Sequence, residues 1–270
     1  MRVALGLEYN GTPFCGWQTQ PARCGVQDAL ETALTGIAGA RIATTCAGRT
    51  DAGVHALAQV VHFDTEAERP LTAWVRGVNS SLPPQVAVLW ARIVPRDFHA
   101  RYSACERRYR YMLLNHPQRP AVNHGRVGWC HAALDPAKMQ RAAELLKGQH
   151  DFSAFRSSEC QAKSPVRELR ALDIAREASC IVFEFTANGF LHHMVRNIVG
   201  SLVYVGTGRQ PVEWIGEVLE GRDRTRAAPT FDPAGLYLAE VVYDEQWGLP
   251  ACSRENGVQA HVESMNDRAR

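Results

Sequence analysis

Residues 41–63 read RIATTCAGRTDAGVHALAQVVHF, and this stretch sets the reading of everything around it. Two runs with strand character, Arg41 to Cys46 and Gln59 to Phe63, flank Ala47 to His55, which Gly48 and Gly53 punctuate as a loop. Glycines permit positive φ and close backbone approach, so such a loop can present Arg49 and Asp51 together. A neighbouring guanidinium favours the ionised carboxylate, whereas desolvation favours the protonated one. A nucleophile needs the ionised form. An ordinary turn with an exposed ion pair is the plainer reading of an isolated Gly-x-x-Asp-x-Gly. A calcium loop fails because the further acidic ligands are absent.

Working outward, Val3 to Glu8 reads as a strand and Gln27 to Leu34 has helical apolar spacing. A helix is predicted over Leu71 to Asn79, stopped by Leu82-Pro83-Pro84, and an alternating strand over Val86 to Val94. The second half repeats this order. It has a strand over Arg107 to Leu114, a helix over Pro136 to Leu146, and strands over Glu168 to Arg176 and Cys180 to Ala187. A helix over Gly189 to Val205, another over Pro211 to Leu219 and a strand over Gly235 to Val242 complete it. Adjacent strands with short connections predict an α+β fold whose sheet is mixed but largely antiparallel, with helices packed on it. Two similar halves are expected, 1–104 carrying the Asp51 loop and 105–247 completing a cleft, followed by a polar, poorly ordered tail over 248–270.

A chain of 270 residues with 46% hydrophobic content has material for a substantial core. Its first thirty residues hold no basic stretch leading into an apolar run, and no segment approaches the ~20 apolar residues of a membrane span. A cytoplasmic protein without membrane attachment is expected. The eight cysteines include no Cys-x-x-Cys pair, so eight thiols are expected, with neither a zinc ribbon nor a disulfide framework. His55, His62 and Asp64 offer metal-ligating atoms but lack a metal-site spacing; no metal is expected.

The net charge of +2 is uninformative, but lysine occurs only at Lys138, Lys147 and Lys163, so all but three of the 30 basic residues are arginine. Arginine grips phosphate with a planar fork and stacks on bases. GC-rich coding, which inflates arginine and alanine together, is the alternative source of this bias. The bias concentrates at Arg92, Arg96, Arg101, Arg107, Arg108, Arg110, Arg119 and Arg126, interleaved with Phe98, His99, Tyr102, Tyr109 and Tyr111 and opposed by Asp97 and Glu106. Cations for phosphate beside rings for stacking suit single-stranded or looped RNA. Strand alternation puts Arg107, Tyr109 and Tyr111 on one face and Arg108 and Arg110 on the other; a solvated face with half-buried tyrosines is the competing reading.

From Phe190 to Gly200 the apolar positions form one helical stripe, with His192 and Arg196 at i, i+4 beside it. No phosphate-binding loop, complete Gly-x-Gly-x-x-Gly or Gly-x-Ser-x-Gly elbow occurs, so no nucleotide cofactor is indicated.

These residues resemble the tRNA pseudouridine synthase A family from about Arg2 to Trp247. The resemblance is carried by Gly16-Trp17-Gln18, Ala47 to His55, Gln59 to Phe63, Phe98 to Ala104, Arg108 to Tyr111, His193 to Gly200 and Gly235 to Leu238. It implies two ferredoxin-like halves sharing one sheet, a cofactor-free homodimer with tRNA bound across both subunits, and isomerisation of uridines 38, 39 and 40 in the anticodon stem-loop. It further implies that Asp51 is the catalytic aspartate, that Tyr109 packs on the target base, that Arg196 pairs with Asp51 and that Arg49 assists base flipping. Arg69, the segment Phe98, His99, Ala100, Arg101 and Tyr102, and the segment Glu159, Cys160, Gln161, Ala162 and Lys163 match RNA-contacting regions. His192 departs from relatives that carry arginine there. A noncatalytic RNA-binding protein would use the same arginine and tyrosine surface. Hydrolysis through an aspartyl intermediate would need a second carboxylate, for which Asp64 and Glu66 are the candidates.

Overall fold

The computed structural model describes residues 1–250. Its strands are β1 (Arg2–Tyr9), β2 (Thr45–Cys46), β3 (His55–Asp64), β4 (Val86–Val94), β5 (Ala104–Asn115), β6 (Gly128–Cys130), β7 (Gly148–Asp151), β8 (Val166–Glu177), β9 (Cys180–Ala187) and β10 (Leu236–Tyr243). Its α-helices are α1 (Val26–Ala38), α2 (Pro136–Glu144), α3 (Met194–Gly206) and α4 (Trp214–Gly221). Among the described residues the chain divides into two compact units, Met1–Arg107 joined by residues 237–250, and Arg108–Leu236. The strand expected to close the second half thus belongs with the first: Tyr237 and Leu238 pair in parallel with His55 and Ala56. From 251 onward the polar tail lies outside the described residues.

In the first unit β1 lies between β4 and β3, antiparallel to both, and β10 follows β3. Paired on both edges, β1 buries Val3, Ala4, Leu5 and Leu7 completely; burying a leucine side chain stabilises by roughly 1.5–3 kcal/mol. Across the sheet Trp74 meets the Phe63 ring edge-on at 5.3 Å. It sits in a π-helical turn, Ala73–Gly77, within the helix expected there. The predicted strand Arg41 to Cys46 shrinks to Thr45–Cys46. Glu31 on α1 accepts bonds from the Thr44 N–H at 2.7 Å and its hydroxyl at 2.9 Å, and this draws the preceding residues out of the ladder. Conversely, β3 begins at His55, inside the span expected as loop.

The second unit orders β5, β9, β8 and β7, with β6 running parallel to β5 at Leu113 to Asn115. Helix α2 starts where Asp135 accepts from the Ala137 and Lys138 N–H groups at 3.0 and 3.1 Å, with Pro136 at the first helical position. Helix α3 is buried nearly all round, and a Cβ on Gly206 would come within 2.6 Å of the Met139 sulfur of α2. It starts at Met194 and not at Gly189, because His193 adopts the left-handed conformation, φ 64°. His192 therefore lies outside the helix, and the expected i, i+4 relation with Arg196 does not form. The α+β class and the largely antiparallel strand pairing stand as expected.

Candidate active site

The Asp51 loop is held from several sides within the first unit. Gln59 on β3, completely buried, donates from Nε2 to the Gly48 carbonyl at 2.6 Å, while Tyr9 and Thr50 share a buried hydroxyl pair at 2.8 Å. The Trp17 N–H donates to the Thr50 carbonyl at 2.9 Å, and the Val54 N–H to the Asp51 carbonyl at 3.1 Å. Gly53 takes φ 78° at the turn. Two glycines outside the loop make its position possible: a Cβ on Gly16, whose φ is 98°, would sit 2.7 Å from the Thr50 carbonyl, and one on Gly11 would sit 1.9 Å from that of Val54. Asp51 is half-buried and Arg49 exposed, so the loop offers a sheltered carboxylate with a solvent-facing cation two residues away. Beneath the loop, enclosure pushes the Cys46 thiol up to about 12, leaving it a neutral packing group.

Cys15 and Cys24 are bonded, with Cα atoms 5.4 Å apart, which corrects the expectation of eight thiols. The chain between them turns back on itself, the Cys15 N–H donating to the Cys24 carbonyl at 3.0 Å. A turn brings together sulfurs that their spacing alone does not pair. This closed loop carries Gly16 and Trp17 against Thr50.

The histidines considered as metal ligands have structural work. His55 Nδ1 accepts from the Gly11 N–H at 3.0 Å, and its ring stacks on Tyr237 at 4.6 Å. His62 Nδ1 accepts from the Ala100 N–H at 3.1 Å; burial, helped by Arg2 and His99, lowers its pKa to about 4. Asp64 is bound by Arg2 at 2.8 Å, and that bond holds its carboxyl below the usual range.

His62 thereby fixes the Phe98 to Tyr102 segment. Phe98 and Ala100 are fully buried, and Tyr243 donates its hydroxyl to the Ala100 carbonyl. His99 Nδ1 accepts the N–H groups of Arg101 and Tyr102 at 3.1 and 3.2 Å, and its ring lies 4.3 Å from that of Tyr102. Arg101 and Tyr102 point outward, Tyr102 being 77% exposed, with the Arg101 guanidinium 5.8 Å from its ring. Of the five residues expected in an RNA-contacting region, Phe98 and Ala100 are therefore anchors of the segment's backbone, with their side chains out of reach of solvent. Arg69 is exposed, its Nε donating to the Ile37 carbonyl at 3.2 Å.

Two arginines of the basic constellation are committed elsewhere. Arg107 donates to the carbonyls of Ala47, at 3.2 Å, and of Arg101, stapling the Asp51 loop to the exposed segment. Arg110 is ion-paired with Glu184. Arg92, Arg96, Arg101, Arg108, Arg119 and Arg126 are exposed. Nothing in the spacing of Arg107 signals the stapling role; only folding brings two carbonyls to it.

In the second unit Tyr109 is buried and meets the edge of Phe190 at 4.9 Å, and Tyr111 donates its hydroxyl to the Asp232 carbonyl at 2.8 Å. The inward tyrosines and outward Arg108 follow the expected alternation. Arg196, half-buried, donates from Nε to the Phe231 carbonyl at 2.8 Å. Glu159, Gln161 and Lys163 are exposed on a surface loop; Cys160 and Ala162 are half-buried there, the Cys160 carbonyl accepting from Arg156 at 2.6 Å.

Comparison with known proteins gives a consistent match. The family described as tRNA pseudouridine synthase matches residues 7–103 and 142–244. The tRNA pseudouridine synthase A of Thiobacillus denitrificans is 62% identical over 94% of this chain and 97% of its own length. That of Nitrosomonas eutropha is 60% identical over 93% of this chain and 90% of its own. A chain from the crystal structure of a Cbf5-Nop10-Gar1 complex aligns with 87% of this chain and 48% of its own at 10% identity and a TM-score of 0.36, a likeness too distant to inform the chemistry.

Proposed function

The chain belongs to the tRNA pseudouridine synthase family, and from that premise we propose how its residues perform the reaction. It is an isomerase that converts uridine in tRNA to pseudouridine. The N1–C1′ bond breaks, the base turns, and a C5–C1′ bond forms as C5 loses a proton and N1 gains one. No water is consumed and no net redox change occurs, so acid, base and nucleophile suffice without a cofactor. Attack on the ribose carbon, attack on the base and elimination all start from an ionised carboxylate. We assign that carboxylate to Asp51.

The observation that carries this assignment is the half-buried Asp51 on a loop whose backbone is bonded by Gln59, Trp17 and Arg107 and packed on Gly11 and Gly16. A fixed carboxylate needs little reorganisation at the moment of reaction. We assign Arg196 as the cation that pairs with Asp51, and Tyr109 as the ring against the uracil. Arg49, exposed, fills the vacancy left by the flipped base, offsetting the few kcal/mol of unstacking. Arg69, the outward Arg101 and Tyr102, and the loop Glu159 to Lys163 contact RNA. The exposure of Arg69, Arg101, Tyr102, Glu159, Gln161 and Lys163 supports that role. We assign the substrate positions to uridines 38, 39 and 40 of the anticodon stem-loop, the assembly to a homodimer with tRNA across both subunits, and the compartment to the cytoplasm. Among the described residues no helix is long and apolar enough to cross a membrane. The relatives support catalysis over the noncatalytic reading.

Asp51→Asn is the direct test. The amide keeps the side chain's shape but is no nucleophile, so pseudouridine formation should vanish while tRNA affinity stays within a few-fold. Wild-type turnover in the variant would remove Asp51 from the chemistry.

A further inference from the structure

A cleft of about 740 Å³ opens in the second unit between the turn at Ser153 to Ser158 and the loop from Arg222 to Thr230. Three arginines line it, Arg156, Arg222 and Arg224, with hydroxyls from Ser153, Ser157 and Thr230.

Its walls are built. Completely buried, Asn197 of α3 donates from Nδ2 to the Phe155 carbonyl at 2.8 Å, and its Oδ1 accepts from Arg224 at 3.0 Å and from the Thr230 hydroxyl at 2.7 Å. One side chain thus ties both walls. Asp223, also at the rim, is occupied in closing the turn that carries Arg224, accepting from the Thr225 N–H at 2.9 Å and hydroxyl at 2.7 Å. Asp151 lies 3.6 Å from Arg222.

Arg224 is half-buried, yet among the described residues its partners are all neutral: Asn197 Oδ1, Thr230 Oγ1 and the Ala227 carbonyl. Burial lowers its pKa, and no carboxylate acts against that. Arg156 donates to the Cys160 carbonyl and, like Arg222, acts electrostatically on Asp151, so among the described residues Arg224 is the guanidinium of the three with neutral partners alone. A guanidinium withdrawn from water without a counter-ion is unfavourable, and an anion with several oxygens at a guanidinium fork offsets that cost.

We propose that this cleft is a phosphate site that takes a backbone phosphodiester of the RNA substrate through Arg156, Arg222 and Arg224. The inference rests on tRNA being the substrate. It gives the enzyme a grip on the nucleic acid that none of the residues assigned above supplies. Small phosphates share the chemistry, so the test separates the sources.

The experiment measures binding of unmodified tRNA across a salt series for wild type, for R156Q/R222Q, and for R209Q, a control that removes one charge outside the cleft, where the Arg209 guanidinium lies 4.3 Å from the Tyr204 ring. Arg224 is left intact because its bonds to Asn197 hold the walls. R156Q/R222Q should bind about tenfold more weakly, with the log–log salt slope smaller by roughly 0.7 to 0.9 per lost phosphate contact, while R209Q keeps the wild-type slope. Thermal unfolding of each variant in phosphate and in chloride at matched ionic strength forms the second arm. Equal slopes for R156Q/R222Q and R209Q overturn the proposal. So does a variant that loses stabilisation by inorganic phosphate yet keeps the wild-type tRNA slope, because the cleft then serves small phosphates. Failure of wild type to bind tRNA at all would refute the substrate reading itself, which the Asp51→Asn assay checks separately.

Discussion

The Asp51 loop and the Phe98 to Tyr102 segment, stapled by one arginine, are held in opposite ways. Around Asp51 the constraint is steric and all-round: backbone lies against backbone where Gly11 and Gly16 permit it, and Thr50 is bonded through both its carbonyl and its hydroxyl. The other segment is anchored at alternate residues, Phe98 and Ala100, while Arg101 and Tyr102 extend into water. A reacting group needs its position fixed to a fraction of an ångström, whereas a group meeting a flexible polyanion needs reach. On the roles proposed above for Asp51, Arg101 and Tyr102, the contrast teaches that this chain separates the two demands along its backbone and then joins the results through Arg107.

Gly16→Ala should break the comparison most severely. A Cβ in the left-handed region, 2.7 Å from the Thr50 carbonyl, must displace the Asp51 loop. Strain and overpacking together should cost about 2–4 kcal/mol. Single-turnover pseudouridine formation should fall far more than tRNA affinity, and a variant with wild-type melting and turnover would show the loop to be less constrained than described.

Acid should loosen the Phe98 to Tyr102 segment selectively. His62 has a folded-state pKa near 4, lowered from an ordinary 6.5 by burial, with Arg2 and His99 contributing and Asp64 opposing. Its neutral form is therefore the stabilising one. That stability is fully present above pH 6.5 and is lost as pH falls toward 4, amounting to about 3 kcal/mol. Protonation also removes the acceptor for the Ala100 N–H. Urea unfolding of wild type and His62→Gln between pH 7 and pH 4 should show a flatter pH dependence in the variant; parallel curves would mean that His62 is not the titrating group.

The smallest effect sharpens the contrast. Arg101→Ala should weaken tRNA binding only a few-fold and reduce the salt slope by about one contact, leaving the melting temperature unchanged, since its side chain is exposed. A drop in stability instead would assign Arg101 to the scaffold.

Much of this was legible in the sequence because the physics is local. Glycine at 48 and 53 punctuates the loop, Asp135-Pro136 announces α2, and the alternation of Arg108, Tyr109, Arg110 and Tyr111 sorts charge from core. What stayed hidden depends on contacts distant in sequence. The strand character of His55 to Ala58 comes from pairing on both sides of β3, which leaves no alternation to read. The start of α3 is set by the backbone of one histidine inside an unbroken apolar stripe. Cleft residues Arg156 and Arg224 lie on segments that the buried Asn197 ties together through the Phe155 carbonyl and Arg224 itself, and Arg107 was visible as a cation but not as a staple.

The Cys15–Cys24 bond gives the molecule a chemical variable besides pH and salt. Taking up two electrons and two protons, the bridge becomes two thiols, and the unfolded chain regains the freedom of a ring closed across nine residues of separation. That freedom is worth roughly 2–3 kcal/mol in chain entropy. The strap backing Thr50 would then be kept in place by hydrogen bonds and packing alone. One polypeptide accordingly has two stabilities, and a melting temperature measured on it has meaning only alongside the thiol–disulfide poise of the buffer.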